Sequence, residues 1–217
     1  MKQIAKLFMT ILALEFSSEH RSVALARAGD FLAETTESAG RGTAAFEMIE
    51  KVLKQANLER EEIEIIAVGL GPGSYTGIRA AIALAQGWQL ARGIKITGVS
   101  SAAAIAACAQ TENFFGRLNI VIYAQREEFY FAEYEITQTA CAEIGPLKIL
   151  PGAEVRSRAL QGENFIGPAA AKFFPNGRDI FPRAVEVARL AAVQNCFPPG
   201  EKLEPIYLRE TNFVKAH

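Results

Sequence analysis

Residues 63–101 constrain the fold of this chain more than any other stretch. An apolar run at residues 63–68 leads into a glycine-rich loop at residues 69–77, and a long apolar helical pattern follows. This order predicts a strand, a tight loop and a helix. Glycines permit positive φ angles and close backbone approach, and a helix N-terminus presents unpaired N–H groups. The loop is therefore predicted to face an anion or the backbone of a partner.

The composition indicates a soluble globular protein. The chain has 217 residues, half of them apolar, and 23 Lys and Arg against 24 Asp and Glu. This length can bury the core of one large domain or two small ones. Because there is no basic excess, independent tight binding to nucleic acid is disfavoured. Any contact with RNA would depend on the charge of a partner.

The cysteines and the N-terminus bear on the cellular compartment. Cys108, Cys141 and Cys196 are odd in number and far apart, which argues against a disulfide framework or a zinc site and favours buried thiols in a reducing cytoplasm. The apolar run at residues 7–14 is predicted to be the first β-strand, with a secretory signal peptide as the alternative. A membrane span needs about 20 apolar residues, and no stretch approaches that length.

The predicted elements fall into two similar halves. A stripe of Phe46, Ile49, Leu53 and Ala56 is expected to be the buried face of the first helix. Thr43 is its candidate N-cap. The pattern βββαβα, followed by a shortened copy, predicts an actin-like, ribonuclease H-like α/β fold with lobes at residues 1–110 and 111–217. The predicted strands are 7–15, 22–27, 31–36, 63–68, 94–99, 118–124, 128–136, 141–150 and 164–167; the predicted helices are 43–57, 77–92, 100–109, 168–174 and 182–195.

Four motifs resemble one known family. Residues 69–101, GLGPGSYTGIRAAIALAQGWQLARGIKITGVSS, are similar to its GPGSFTGLR block with a GVSS ending. Residues 11–25 resemble its first hairpin, residues 123–130 its Asp-Ala-Arg-Arg hairpin, and residues 204–209 its Pro-x-Tyr-Leu-Arg tail. Because these matches follow the right order along nearly the whole chain, the chain resembles the TsaB/YeaZ family of glycoprotease-like proteins.

This resemblance implies a cytoplasmic accessory subunit in the synthesis of threonylcarbamoyladenosine on tRNA, at the adenosine next to the anticodon. It implies pairing with a homologous, TsaD-like catalytic subunit that carries the metal-binding histidines, and recruitment of a TsaE-like ATPase. The tRNA would be bound only through the complex. The older peptidase label is not supported, because His20 and His217 are the only histidines and no H-E-x-x-H spacing exists. No catalytic and no metal-binding residues are predicted.

The chain departs from the family pattern at three places. Glu15 stands where the family has Asp, Tyr123 stands where its second hairpin has Asp, and residues 41–44 replace its His-Ser-Glu helix start. These changes fall near the surfaces expected to face nucleotide and partner. A diverged paralogue with altered pairing therefore stays open.

The candidate nucleotide-facing residues lie at the end of the first strand and in the glycine-rich loop. Actin-like kinases place a strand-end carboxylate beside hairpin hydroxyls to contact phosphate or metal; the alternative for Glu15 is a capped turn with a solvated side chain. A Walker loop is excluded because no Lys-Ser/Thr follows the glycines. No cofactor is expected to be required, and ATP or ADP shared at a partner interface is the candidate ligand. The residues are Glu15, Ser17, Ser18, Gly71, Gly73 and Ser74.

The candidate partner-facing residues lie mainly on the helix at residues 77–92. That helix is apolar on nearly every side and is expected to be covered all round. Its small residues form a strip along which another helix could pack closely. Coverage within the same domain is the alternative, and a homodimer and a heterodimer are both open. The residues are Thr43, Glu47, Tyr75, Thr76, Arg79, Ala80, Ala83, Gly87 and Ala91.

Two other classes of function remain as rivals. One is an autonomous actin-fold, ATP-dependent phosphotransferase or ATPase, and the other is an orphan self-associating module. A phosphotransferase needs a catalytic base and metal-holding carboxylates facing its cleft. Beyond Glu15 the sequence offers no convincing set, so the accessory function is favoured.

Overall fold

Two five-stranded sheets with the same strand order organise the chain. The computed structural model describes residues 9–38, 44–194 and 197–208. The first sheet has the order β3-β2-β1-β4-β5; β1, β2 and β3 are antiparallel neighbours, whereas β4 and β5 run parallel to β1. Its strands are β1 (Thr10–Glu15), β2 (His20–Arg27), β3 (Asp30–Ser38), β4 (Ile65–Gly69) and β5 (Lys95–Val99).

The second sheet repeats this arrangement. Its order is β10-β9-β6-β7-β8, again with three antiparallel strands followed by two that run parallel to the first of them. The predicted α/β, actin-like fold of duplicated βββαβα halves is confirmed. Its strands are β6 (Gly116–Tyr123), β7 (Glu128–Ile136), β8 (Cys141–Pro151), β9 (Phe165–Gly167) and β10 (Gly177–Asp179).

Six described α-helices cover the sheets. Short 3₁₀ helices at Arg60–Glu62 and Gly200–Lys202 complete the described elements. Among the described residues, no helix is both long enough and apolar enough to cross a membrane. The α-helices are α1 (Ala45–Ala56), α2 (Tyr75–Arg92), α3 (Ser101–Thr111), α4 (Gly152–Leu160), α5 (Ala170–Phe173) and α6 (Ala184–Ala192).

Strand β1 is buried on both faces, which explains its continuous apolar run. Leu12 and Leu14 pack in one core with α1 and α2, and the alternate residues Ile11 and Ala13 pack in another core with α6. The first sheet is therefore a central layer between two layers of helices. Its fourth strand, β4, carries the glycine-rich loop out of this layer at Gly69.

Helix α3 lies between the two sheets. Ile105 and Cys108 pack against the second sheet, whereas Ala104 packs in the core that α6 shares with the first sheet. Small alanine side chains let these layers approach closely. The thiol of Cys108 is buried, which raises its pKa to about 12, and Cys141 is half-buried. Cys196 lies outside the described residues.

The structure corrects several sequence-based expectations. Phe46 is 63% exposed and does not belong to the buried stripe of α1, which runs instead through Met48 and Val52 alongside Ile49 and Leu53. The second half is not shortened to the expected degree, because α4 and β10 were not predicted. Both missed elements have weak local signals: α4 has only nine residues, four of them polar or charged, and β10 has only three residues.

The last described α-helix packs against the first sheet. Helix α6 lies in the segment assigned by sequence to the second lobe, yet it packs against β1 and β2. Its first turn is bound by the first sheet, because Ala184 N donates to Ser22 Oγ at 2.8 Å and Val185 N donates to Glu34 Oε1 at 3.1 Å. Arg183 also pairs with Glu34. The lobe boundaries at residues 1–110 and 111–217 stay a prediction.

Candidate functional site

The glycine-rich loop packs against the backbone of the turn that connects β1 and β2. A Cβ atom at Gly73, where φ is +151°, would lie 2.1 Å from Ser17 O, and a Cβ at Gly77 would lie 2.0 Å from Phe16 O. Ser74 N donates to Ser17 O at 2.7 Å. These two glycines therefore permit a close approach between the loop and the turn that follows β1.

The N-terminus of α2 is capped by the chain itself. The side chain of Ser74 accepts a hydrogen bond from Gly77 N at 3.3 Å. The carbonyl of Ser74 accepts from Ile78 N at 3.0 Å, which begins the helix. Ser74 thus satisfies one of the donors that an anion at this helix start would otherwise contact.

Glu15 is completely buried at the end of β1, with 0% of its surface exposed. Its Oε1 accepts from Ser17 N at 2.7 Å and its Oε2 accepts from the Ser101 hydroxyl at 2.8 Å. Burial raises the pKa of this carboxyl, although the hydrogen bonds from Ser17 and Ser101 oppose that effect. The alternative of a solvated Glu15 in a capped turn is therefore wrong.

A cleft of about 640 Å³ opens beside this junction, between the two lobes. One wall is formed by the turn after β1 and by the glycine-rich loop, and the other by the β6–β7 hairpin and the segment after β9. Tyr123, on the second wall, is partly exposed and stacks on Phe173 with ring centroids 5.3 Å apart. The lining residues are Ser17, Ser18, Glu19, Arg21, Gly73, Ser74, Tyr75, Thr76, Ile122, Tyr123, Gln125, Pro168 and Ala169.

The cleft contains four of the six predicted nucleotide-facing residues. Ser17, Ser18, Gly73 and Ser74 line it, although the two hairpin serines are largely buried. The Ser18 hydroxyl donates to His20 O at 3.0 Å. The other two, Glu15 and Gly71, are buried outside the lining. Nucleotide contact by this set stays a prediction.

Glu15, the predicted metal- or phosphate-facing carboxyl, is not available to a metal-bound nucleotide in this cleft. Both oxygens of Glu15 are used within the chain, and Mg²⁺ bound to phosphates requires an accessible carboxylate oxygen. Within residues 9–38, 44–194 and 197–208, no group of three or more His, Cys, Asp or Glu side chains is arranged to hold a metal ion. The imidazole of His20 is stacked on the ring of Phe181, with ring centroids 3.8 Å apart.

The predicted partner face of α2 is open. Ile78, Ala81, Ile82 and Ala85 point into the core, whereas Ala80, Ala83, Gly87 and Ala91 on the other side are exposed among the described residues. Leu90 is 90% exposed, so the described chain does not itself cover this helix all round, and coverage by a partner stays a prediction. The predicted small-residue strip, Ala80, Ala83, Gly87 and Ala91, lies entirely on this exposed side.

Aromatic residues extend this face at the start of α2. Tyr75 and Tyr207 stack with ring centroids 5.5 Å apart, and Arg79 donates to the Tyr75 hydroxyl at 2.7 Å. Tyr75 is 58% exposed and Tyr207 is 42% exposed. The tail reaches this position because Ile206 N donates to Leu70 O at 2.9 Å. The tail motif at residues 204–209 gave no sign that Tyr207 would stack on Tyr75.

The other predicted partner residues have mixed outcomes. Thr76 is exposed next to Tyr75, and Glu47 is exposed in the first turn of α1. Thr43 lies outside the described residues, and the N-cap position of α1 is Ala44, which makes no side-chain capping bond. Pairing through these residues stays a prediction. Ser101, in the GVSS ending of the glycine-rich block, was not among the predicted site residues, yet it is bonded to both Glu15 and Gly71.

Comparisons with known proteins agree with this architecture. Residues 43–186, well over half of the chain, match the family model described as TsaD, tRNA N6-adenosine threonylcarbamoyltransferase. The chain is 28% identical to the tRNA threonylcarbamoyladenosine biosynthesis protein TsaB of Escherichia coli, with 93% of this chain and 95% of that protein covered. The chain belongs to this family as a TsaB/YeaZ member.

Other relatives extend the likeness over the same length. The Haemophilus influenzae protein with the same name is 29% identical, with 93% of this chain and 94% of that protein covered. Among solved structures, YeaZ from Pseudomonas aeruginosa superposes with a TM-score of 0.79 at 26% identity. That match covers 93% of this chain and 100% of the solved chain. The TsaB/YeaZ likeness therefore includes both lobes.

Proposed function

We propose that the chain is a non-catalytic accessory subunit in the formation of threonylcarbamoyladenosine on tRNA. The observation that carries this proposal is the end-to-end likeness to relatives named tRNA threonylcarbamoyladenosine biosynthesis protein TsaB. The match to a family model named for a threonylcarbamoyltransferase supports a common fold with a catalytic TsaD-like subunit. The accessory chain would work in the cytoplasm, where it would pair with that subunit.

The geometry of the cleft supports assigning catalysis to the partner. Glu15 is the only candidate metal-holding carboxylate that the sequence offered, and its oxygens are bonded to Ser17 and Ser101. An autonomous phosphotransferase would need accessible carboxylates and a base in the cleft. ATP or ADP is therefore proposed to bind at the partner interface or in the partner, and tRNA is proposed to bind only through the complex.

The exposed side of α2 supports a helix-packing interface. Small residues such as Ala83 and Gly87 let a second helix approach closely, and the adjoining Tyr75, Arg79 and Tyr207 are of the types that dominate interface energetics. A TsaD-like subunit of the same fold would offer equivalent helices. A TsaE-like ATPase would then bind the assembled pair.

Pull-down from native extract tests the pairing. The tagged chain is expected to recover a TsaD-like subunit, and Ala83→Glu should abolish recovery because a charged side chain would be buried between the helices. Ala153→Glu is the matched control, since Ala153 is also an exposed helical alanine but lies on α4 in the other lobe. Circular dichroism should show that both variants fold like the wild type.

Two results would contradict the proposal. Recovery of the chain alone, as a dimer that Ala83→Glu disrupts, would favour the orphan self-associating module. Rapid ATP hydrolysis by the purified chain would favour the autonomous phosphotransferase. A direct test of function is reconstitution of tRNA modification from purified subunits, in which omission of this chain should reduce product formation.

A further inference from the structure

A buried junction joins three separate parts of the first lobe. The carboxyl of Glu15, at the end of β1, contacts the Ser101 hydroxyl in the first residue of α3 at 2.8 Å. Ser101 Oγ also accepts from Gly71 N at 3.0 Å, and Ser101 N donates to Gly71 O at 2.8 Å. Ser101 is therefore hydrogen-bonded to both the backbone N–H and the backbone carbonyl of Gly71, and Glu15 in turn accepts a hydrogen bond from Ser101.

The surrounding chain makes room for this arrangement. A Cβ atom on Gly69 would lie 2.0 Å from Glu15 Oε2, so any larger residue at position 69 would displace the carboxyl. Ser101 is itself fully buried. A carboxyl group in such a place is costly unless its oxygens are hydrogen-bonded, and both are.

We propose that Glu15 is a positioning residue that fastens the glycine-rich loop to the start of α3, and that it does not contact a metal-bound phosphate. The loop leads directly into α2, so the junction sets the position of Tyr75 and of the exposed face behind it. The importance of that position for pairing rests on the proposed function. The fastening itself is a property of the chain alone.

The charge environment fits fastening better than ligand binding. The groups that influence the pKa of Glu15 are the Ser17 hydroxyl and amide and the Ser101 hydroxyl, and burial is the largest influence. A metal ligand would instead expose at least one oxygen to the cleft. The accessible wall of the cleft beside it is formed by the turn after β1, which includes Glu19, and by the glycine-rich loop.

Hydrogen–deuterium exchange of the isolated chain tests this inference. Glu15→Ala and Ser101→Ala should each speed exchange in residues 69–78 by roughly 5- to 100-fold, since a buried hydrogen-bonded contact is lost. Exchange in β7, on the second sheet, should not change. Ser100→Ala is the matched control, because Ser100 precedes α3 but makes no side-chain capping bond.

The conservative variant Glu15→Gln separates positioning from mere space filling. Its amide oxygen can accept from Ser17 N and its NH₂ group can donate to Ser101 Oγ, but the Ser101 hydroxyl proton then loses its acceptor, so loop exchange should lie between that of the wild type and that of Glu15→Ala. If Glu15→Ala does not fold, Ser101→Ala still tests the same contact. Loop exchange in both Glu15→Ala and Ser101→Ala equal to that in Ser100→Ala would overturn the inference.

Titration with MgATP tests the competing role. Wild-type loop exchange is expected to be the same with and without MgATP. Slower exchange with MgATP that disappears in Glu15→Gln would assign Glu15 to ligand binding and overturn the inference. These measurements use the chain alone. They can therefore support the fastening role when pull-down recovers no TsaD-like subunit, and they can contradict it when pull-down succeeds. Failure of the fastening and failure of the proposed function are thus distinguishable.

Discussion

At the scale of single residues, Glu15 shows how burial changes the role of a carboxylate. The sequence allowed either a phosphate-facing or a solvated side chain, whereas the structure gives it 0% exposure and two internal hydrogen bonds. The extra methylene relative to Asp lengthens the reach of the carboxyl toward Ser101. Its position is thus decided by residues up to 86 positions away along the chain.

Glu15 should leave a signature in the pH dependence of stability. Its folded pKa is raised above the ordinary value of 4.5, chiefly by burial, so the folded state retains the proton more strongly than the unfolded state. The stability that it contributes is complete below the unfolded pKa and is lost as the pH rises through the folded pKa. Urea unfolding from pH 4 upward should show this loss in the wild type.

Glu15→Gln is the control for that measurement. It removes the titration, so the wild-type free energy of unfolding should fall relative to that of the variant as the pH rises above about 4.5. Taking the difference between the two proteins cancels the opposite trend of carboxyls such as Glu133, whose pKa is lowered by Arg117. A pH-independent difference would contradict a raised folded pKa.

Gly73→Ala should destabilise the first lobe. The new methyl would meet Ser17 O at 2.1 Å in a backbone conformation, φ +151°, that favours glycine. Strain of this kind costs about 1–3 kcal/mol. Urea denaturation measures the loss of stability. Gly29→Ala is the control for the cost of a positive φ alone, because a Cβ atom at Gly29 would have no other atom within 4 Å. Equal losses in the two variants would show that the close approach to Ser17 is unimportant.

At the scale of elements, α2 carries two different surfaces. Its buried side fits the first sheet, and its exposed side presents small residues and then the Tyr75–Tyr207 stack. Hydrophobic periodicity does not separate these surfaces, because alanine and leucine occur on both. Only the neighbours of the helix decide which side is covered.

Gly87→Ala should separate stability from pairing. Gly87 lies within α2 with open space around its Cβ position, so alanine should stabilise the isolated chain by about 0.5–1 kcal/mol. If a partner helix packs there, the added methyl should weaken pairing. Thermal unfolding and pull-down measure the two effects; greater stability with unchanged pairing would place the partner elsewhere.

At the scale of the whole molecule, α6 joins the second half of the chain to the first sheet. Ser22 and Glu34 bind the first backbone amides of this helix from more than 140 residues away. Close packing of its alanines with α3 and β1 adds apolar contact. The two sheets are therefore connected by shared helices as well as by the chain between them.

Ser22→Ala should weaken this connection. Ser22 is fully buried, and its loss would leave Ala184 N without its acceptor at a cost of about 1–3 kcal/mol. Urea denaturation should show lower stability, and amide exchange in α6 should rise. Ser157→Ala, at an exposed position of α4, should do neither. Unchanged exchange in α6 would show that Ser22 does not hold the helix.

The sequence alone determined the order of most elements, the fold class and the family resemblance. The alternation of residues in strands, the glycines at turns and the GPGSYTGIR motif are local signals, and they can be recognised in a single sequence. Local signals failed where they were weak, in the nine-residue helix α4 and the three-residue strand β10.

Only the tertiary structure determined whether particular side chains are buried, exposed or stacked. It buried Glu15 against Ser101, exposed Phe46, left one side of α2 open and stacked Tyr207 on Tyr75. Each outcome depends on contacts between residues distant in sequence, which a local pattern does not encode. Local sequence patterns therefore determined most of the helices and strands, whereas packing between these elements determined which residues are available to a partner.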